Sequence, residues 1–383
     1  MNGNRILVFT YSFTGVKGPQ VWSRLFEEYT ALSEKNQLVV LADEVSFVKN
    51  ENITIVKIPK ISLPILHVLT RTTMCFLESF KQRKNYDIVF IRILEISYIT
   101  VSILSKKLFK KKLVVYVSNS EAGHIGIRKK IYKFLFKKML SCADEIVSSS
   151  EQVIKDAEKF LNYKIDRKKI NIIKQGIDLS RFKPKNIVNN DNNLLCVARI
   201  QKIKRIENII EAIPIVKKTF PNVKLKIIGK VIDQNYFAYL NELISKLECE
   251  KQVDFVGPIP YDEIVNSYNT SKIFISTSTG EGLSNVTFEA MACGKPVIVT
   301  KTGARTELVE DGVNGFHVEQ NQPKVLAQKI INLLNNKDYC EKIGNAARKT
   351  VEEKCNWNFF FDDLNGIFKR ISSDDKLQDS NHT

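Results

Sequence analysis

Short runs of apolar, β-branched residues punctuate the chain, separated by longer stretches in which apolar positions recur every three or four residues. RILVFT (5–10), QLVVL (37–41), ITIVKI (53–58), DIVFI (87–91), KLVVYV (112–117) and EIVSS (145–149) are of the first kind and predict strands, with helical patterns between most of them. Alternation of that sort predicts an α/β layer with a doubly wound parallel sheet.

FKPKNIVNNDNN (182–193) breaks the alternation with Pro, Lys and a run of Asn and Asp, and is expected to be a linker. A second series follows: strands at 194–198, 224–229, 253–257, 272–277 and 296–300, and helices near 205–220, 235–248, 261–270, 322–335, 338–354 and 358–371. The expected organisation is a domain over 1–183, a second over 184–356, a helix over 357–372 returning to the first domain, and a polar, disordered tail over 373–383. Two Rossmann-like doubly wound domains facing one another would hold a ligand in the cleft between them.

One segment carries most of the chemistry. In GEGLSNVTFEAMACGKPVIVT (280–300), Ser284 is placed as a helix N-cap, NVTFEAMAC is helix-compatible, and Gly294 with Pro296 is a stop signal. The unit reads strand, glycine loop, helix, strand, with the loop at the carboxyl edge of a parallel sheet, where open α/β folds bind ligands. Unpaired N–H groups at the helix start favour an anion such as phosphate. Glu281, in the loop, would repel phosphate but accept hydrogen bonds from hydroxyls, and Glu289 lies too far into the helix to cap it. A ligand carrying both phosphate and hydroxyls, such as a nucleotide sugar, fits that pairing.

Composition narrows the class. With 383 residues, 44% hydrophobic and 26% charged, the chain has the balance of an ordinary globular protein of more than one domain. No stretch of 18 or more residues is uninterruptedly apolar, so no membrane-spanning helix is expected, and MNGNRILVFTYS does not read as a secretory signal. Seven scattered cysteines without CxxC spacing argue against a disulfide framework or zinc site and suit a reducing cytoplasm. Residues 1–185 hold 33 Lys and Arg against 17 Asp and Glu, whereas the remainder holds 25 of each, so the whole formal charge of +16 sits in the first half.

That charge is densest in SKKLFKKK (105–112) and GIRKKIYKFLFKKML (126–140). As a helix, the second segment gathers Ile127, Ile131, Phe134, Leu135 and Met139 near one face and sets Lys129, Lys130, Lys133 and Lys137 elsewhere. A basic amphipathic helix of this kind suits an anionic membrane surface, or else a core face with a solvated rim. No helix-turn-helix, RNP-like or zinc pattern supports nucleic acid.

VARIQKIKRIENIIEAI, LKIIGK, VDFVGPIPYDEIVNSYNTSKIFISTSTGEGLSNVTFEAMACGKPVIVT and TELVEDGVNGFHV together resemble the retaining GT-B glycosyltransferases of family 4, the glycosyl transferases group 1. ADEIVSSSEQVIKD and IIKQGIDLSRFKP resemble the end of that family's first domain, and the similarity runs through most of residues 143–356. The resemblance implies that Arg199 and Lys204 neutralise the donor diphosphate, that Glu281 lies by the donor hexose, and that Glu289 holds ribose hydroxyls. Backbone N–H groups of Gly282, Leu283, Ser284 and Asn285 would meet sugar or phosphate. Gly15 and Gly18, in YSFTGVKGPQVWSRL, stand where the family has a glycine loop closing on diphosphate and acceptor. The family often has a histidine at the end of a first-domain strand, but this chain has Ser118 and Asn119 there, with His124 a few residues on.

The chemistry so implied is transfer with retention, by front-face displacement in which the departing phosphate takes the acceptor proton. No metal or other cofactor is expected, consistent with the lack of an Asp-x-Asp pair. The expected function is transfer of a hexose or N-acetylhexosamine from a nucleotide sugar, expected to be UDP-linked, to a lipid-linked or growing surface polysaccharide. The enzyme would be cytoplasmic, peripheral on the inner face of the plasma membrane. A nucleotide-sugar epimerase, a soluble glucan or sucrose-type synthase, and a non-catalytic assembly partner are the alternatives.

Overall fold

The computed structural model describes residues 3–13, 20–45, 50–59, 67–118, 126–174, 176–185, 192–261, 263–280, 285–302 and 305–379. By internal contacts the chain divides into a unit of Met1–Lys174 with Phe359–Thr383 and a unit of Gln175–Asn358.

In the first unit the strands are β1 (Arg5–Phe13), β2 (Gln37–Val45), β3 (Ile53–Lys57), β4 (Ile88–Ile91), β5 (Lys112–Val117), β6 (Glu145–Ser148) and β7 (Ile170–Ile172). They form a parallel sheet in the order β3-β2-β1-β4-β5-β6-β7. The helices are α1 (Gln20–Ser33), α2 (His67–Lys81), α3 (Ile96–Leu108), α4 (Gly126–Cys142) and α5 (Glu151–Leu161). Because both faces are covered, the strands are apolar throughout: Ile6, Leu7, Val8 and Phe9 are all buried. Val89 and Ile91 join a core with Tyr98, Tyr132 and Phe136 of α3 and α4.

The second unit repeats the plan. Its strands are β8 (Asn193–Val197), β9 (Lys224–Ile228), β10 (Val253–Gly257), β11 (Ile273–Ser276), β12 (Val297–Thr300) and β13 (Phe316–Val318), in the order β10-β9-β8-β11-β12-β13. Its helices are α6 (Glu207–Thr219), α7 (Gln234–Lys246), α8 (Ile264–Asn269), α9 (Asn285–Ala292), α10 (Arg305–Leu308), α11 (Pro323–Asn335) and α12 (Lys337–Lys354). Local chemistry sets the starts: Asp233 caps α7 through Tyr236 N–H, Asn336 caps α12 through Tyr339 N–H, and Pro323 opens α11. Gly294, at φ +70, closes α9 in the left-handed conformation that glycine adopts without strain. In each sheet the strand order reverses once, at β1/β4 and at β8/β11.

Helix α13 (Trp357–Asp379) belongs from Phe359 onward to the first unit and covers the sheet face opposite α3 and α4. Phe368 meets Phe90 edge-on at 5.4 Å, Phe360 meets Tyr116 at 6.1 Å, and Arg370 pairs with Glu145 at 2.7 Å. Arg92, just past β4, pairs with the buried Glu28 of α1 and lies over the rings of Tyr116 and Phe360, which ties α1, sheet and α13 together.

Three features differ from the sequence-based expectation. The helix runs to Asp379, past the boundary at 372, because no glycine or proline after Gly366 interrupts it within that span. The unit boundary falls at Lys174, ahead of 183, because Ile177 donates its N–H to Cys355 O (2.7 Å) and bridges Asn356, which binds the stretch to the second unit. In α4 the buried side chains are Tyr132, Phe136, Met139 and Leu140, while Ile131 and Phe134 are exposed (46% and 69%). The aromatic rings and Leu140 define a stripe rotated from the one read off Ile127, Ile131 and Phe134, since Tyr132 finds partners in Phe136 and in Phe160 of α5. Ile127's side chain lies outside the described residues.

Candidate active site

The reversal between β8 and β11 sets the carboxyl ends of two strands side by side, and the segments leaving them converge. β8 leads to Arg199, which is exposed, and then to a single 3-10 turn, Lys202–Lys204, in which Lys204 is half-buried. Gly229 makes this approach possible. At φ +153 a Cβ there would lie 2.0 Å from Ala198 O, so any side chain would push away the backbone that carries Arg199.

From β11 the chain enters Thr277–Gly280, which is stitched to the 3-10 turn. Thr279 N–H donates to Ile203 O (2.9 Å), Thr277 Oγ1 donates to Arg205 O (2.8 Å), and Gln320 Nε2 donates to Thr277 O (2.9 Å). Arg205 closes the turn at φ 50 and pairs with Glu207 at 3.1 Å. The two segments, 72 to 76 residues apart in the chain, are thereby held together, with Lys204 in the turn and Arg199 just before it. Arg305 supports the end of β11: fully buried, it donates to Ser276 Oγ (3.0 Å) and to Thr302 Oγ1.

Glu289, on α9, is 4% exposed. Tyr268 Oη donates to its Oε2 at 2.8 Å and Tyr261 Oη to its Oε1 at 3.5 Å. Burial first, and the Glu289 charge second, hold the Tyr268 hydroxyl well above its ordinary pKa, so it remains a donor. The carboxylate is thus oriented by a fully buried hydroxyl.

Among the sequence-derived site residues, Arg199, Lys204, Asn285 and Glu289 fall within this one edge of the second sheet. Glu281, Gly282, Leu283, Ser284, Gly15, Gly18 and His124 lie outside the described residues. Sequence reasoning missed Tyr268, Tyr261 and Arg305. The signal for Arg305 was present in its position between the strand PVIVT and the apolar TELV, where a charge would need partners. Lys129, Lys133 and Lys137 of α4 rest over aromatic rings, those of Phe160 (5.6 and 4.5 Å) and Tyr163 (4.9 Å), while Arg128, Lys130 and Lys138 flank the exposed Ile131 and Phe134.

Two parallel sheets of Rossmann order in one chain, each with a ligand-type reversal point, define an α/β protein of the GT-B glycosyltransferase architecture. The crystal structure of Anabaena HepE in complex with UDP and glucose has this fold: the likeness covers 96% of this chain and 99% of that one with a TM-score of 0.75, at 17% identity. The family model of glycosyl transferases group 1 matches residues 179–350, which lie within the second unit. An uncharacterized glycosyltransferase of Methanocaldococcus jannaschii is 27% identical over 75% of this chain and 76% of its own length. The capsular polysaccharide biosynthesis glycosyltransferase CapM of Staphylococcus aureus is 28% identical over 61% of this chain and 64% of its own. Among the described residues no helix is long and apolar enough to cross a membrane.

Proposed function

We propose that the protein transfers a hexose or N-acetylhexosamine, with retention and without a metal, from a UDP-sugar to a lipid-linked or growing surface polysaccharide. The observation that carries the reading is the joining of the segments that leave β8 and β11, which sets the turn ending in Lys204 against Thr277–Gly280, just after Arg199. Two cations fixed there would neutralise the donor diphosphate and stabilise the leaving nucleoside diphosphate as its charge develops. The acceptor hydroxyl attacks the anomeric carbon as the bond to phosphate breaks, and its proton passes to the departing phosphate oxygen. Glu289, oriented by Tyr268, would accept ribose hydroxyls. The HepE complexes with UDP and with UDP-glucose, and the capsular role in CapM's name, support the choice of donor and of product class.

The lipid-linked acceptor is supported by a separate observation, the exposure of Ile131, Phe134 and Leu108 (46%, 69% and 61%) among lysines of α3 and α4. Screening purified protein for slow hydrolysis of a nucleotide-sugar panel tests the reading. UDP-sugars are expected to turn over, with activity retained in EDTA. A requirement for manganese after EDTA treatment would contradict the metal-free mechanism, and no turnover of any donor would contradict the transferase.

A further inference from the structure

We propose that Arg205 is a positioning residue for donor binding: its guanidinium fixes the turn that carries Lys204, although glycine would suit its backbone better. The proposal rests on the reading of Lys204 as a ligand of the donor diphosphate.

Arg205 follows Lys204 directly and closes the 3-10 turn Lys202–Lys204 at φ 50, ψ 42. A residue with a Cβ is strained in that region, whereas glycine enters it freely. Of the five described residues other than glycine at positive φ, Lys110, Asn162 and Glu248 follow helix ends, where a left-handed residue commonly closes the helix. The other two, Arg205 and Asn321 (φ 58), touch each other.

Arg205 Nη2 donates to Asn321 Oδ1, and Nη1 pairs with Glu207 Oε1 at 3.1 Å. Asn321 lies just past β13 and Glu207 opens α6, so one planar fork ties the segment leaving β8 to the exit of β13 and to the next helix. The tie completes a ring of contacts. Gln320, beside Asn321, donates from Nε2 to Thr277 O (2.9 Å), and Thr277 Oγ1 donates to Arg205 O (2.8 Å). The residue after Lys204 is thus gripped twice, by its carbonyl from the exit of β11 and by its side chain from the exit of β13.

The start of α6 is held without this fork. Glu207 also accepts from Tyr236 Oη, which itself accepts from Ile206 N–H (2.7 Å) and so fixes α6 to α7. Arg205 Nε is buried with no hydrogen-bond partner, a penalty that glycine would not incur. Strain and an unmet donor at one residue are the mark of a position held for function.

Hydrogen exchange and calorimetric titration with UDP, both on the full chain, test this. Arg205→Gly permits the left-handed backbone and removes the fork. It is expected to speed exchange of the Thr279 N–H, which is bonded to Ile203 O, about tenfold in the free protein, with exchange in β8 and β9 unchanged. It is also expected to weaken UDP binding about tenfold in the parent background and less than twofold in a Lys204→Ala background, because Arg205 acts only through Lys204. Asn321→Ala, at an exposed position, is expected to repeat both effects and decides the matter where Arg205→Gly does not fold. Unchanged exchange at Thr279, parent-like UDP affinity in a variant that speeds exchange, or a loss that stays tenfold in the Lys204→Ala background overturns the proposal. Parent-like UDP affinity in Lys204→Ala alone tells instead against the diphosphate reading, and exchange at Thr279 still decides whether Arg205 fixes the turn.

Discussion

Arg199 and Lys204 are held five positions apart by a strand end and a single 3-10 turn, and each would contribute a charge-assisted hydrogen bond to a diphosphate. Such a bond is worth about 1.5–3 kcal/mol, so Arg199→Ala and Lys204→Ala are each expected to weaken UDP binding about 10- to 150-fold by titration calorimetry. Equal affinity in both variants and the parent would remove the pair from the site. The pair was picked out in the sequence by the resemblance to the glycosyl transferases group 1, which implies an Arg and a Lys five positions on. The tyrosines that orient Glu289 were not, because Tyr261 and Tyr268 precede it by 28 and 21 residues and meet it only when α8 packs on α9.

At the scale of the element, most strands and helices were legible because each is announced by its own period, and the stop at Gly294 by its own glycine, whereas the three-residue strands β7 and β13 are too short to show one. The face α4 buries was not, since the choice of Tyr132 and Phe136 over Ile131 and Phe134 depends on Phe160, in a different helix. The consequence bears on membrane binding. Lys129, Lys133 and Lys137 rest on rings within the unit, so Ile131, Phe134, Lys130 and Lys138 are the groups available to a bilayer. Ile131→Ser with Phe134→Ser is expected to abolish flotation with anionic vesicles while UDP-sugar hydrolysis persists. Lys130→Gln with Lys138→Gln should weaken it, each lysine contributing about 1 kcal/mol near such a surface. Flotation of the serine variant like the parent would assign that face to solvent.

Across the whole molecule, burial raises the hydroxyl pKa of Tyr29, Tyr98 and Tyr132 in one unit and of Tyr236 and Tyr268 in the other, in each case as the largest cause. These groups stay protonated when folded, but ionise near pH 10 in the unfolded chain, so the unfolded state loses protons first. Their contribution to stability is complete below about pH 10 and is lost as pH rises beyond it, by about 1.4 kcal/mol per tyrosine per pH unit. Tyrosinate absorbance from the buried set is therefore expected to appear together with loss of circular dichroism. Complete ionisation near pH 10 with the dichroism intact would contradict the burial.

Helix α13 makes the first unit discontinuous in sequence, and this dictates an order of events during synthesis. At about 5–20 residues per second, the 184 residues of Gln175–Asn358 take about 10–40 s to polymerise. Throughout that interval the nascent sheet presents Phe90 and Tyr116 without the partners that Phe368 and Phe360 later supply. The inserted unit can complete its own core before the unit that began first. A chain ending at Asn358 is accordingly expected to yield, under limited proteolysis, a resistant fragment from the second unit and a degraded first unit. Equal resistance of both would mean that the amino-terminal layer closes without waiting for α13 to leave the ribosome.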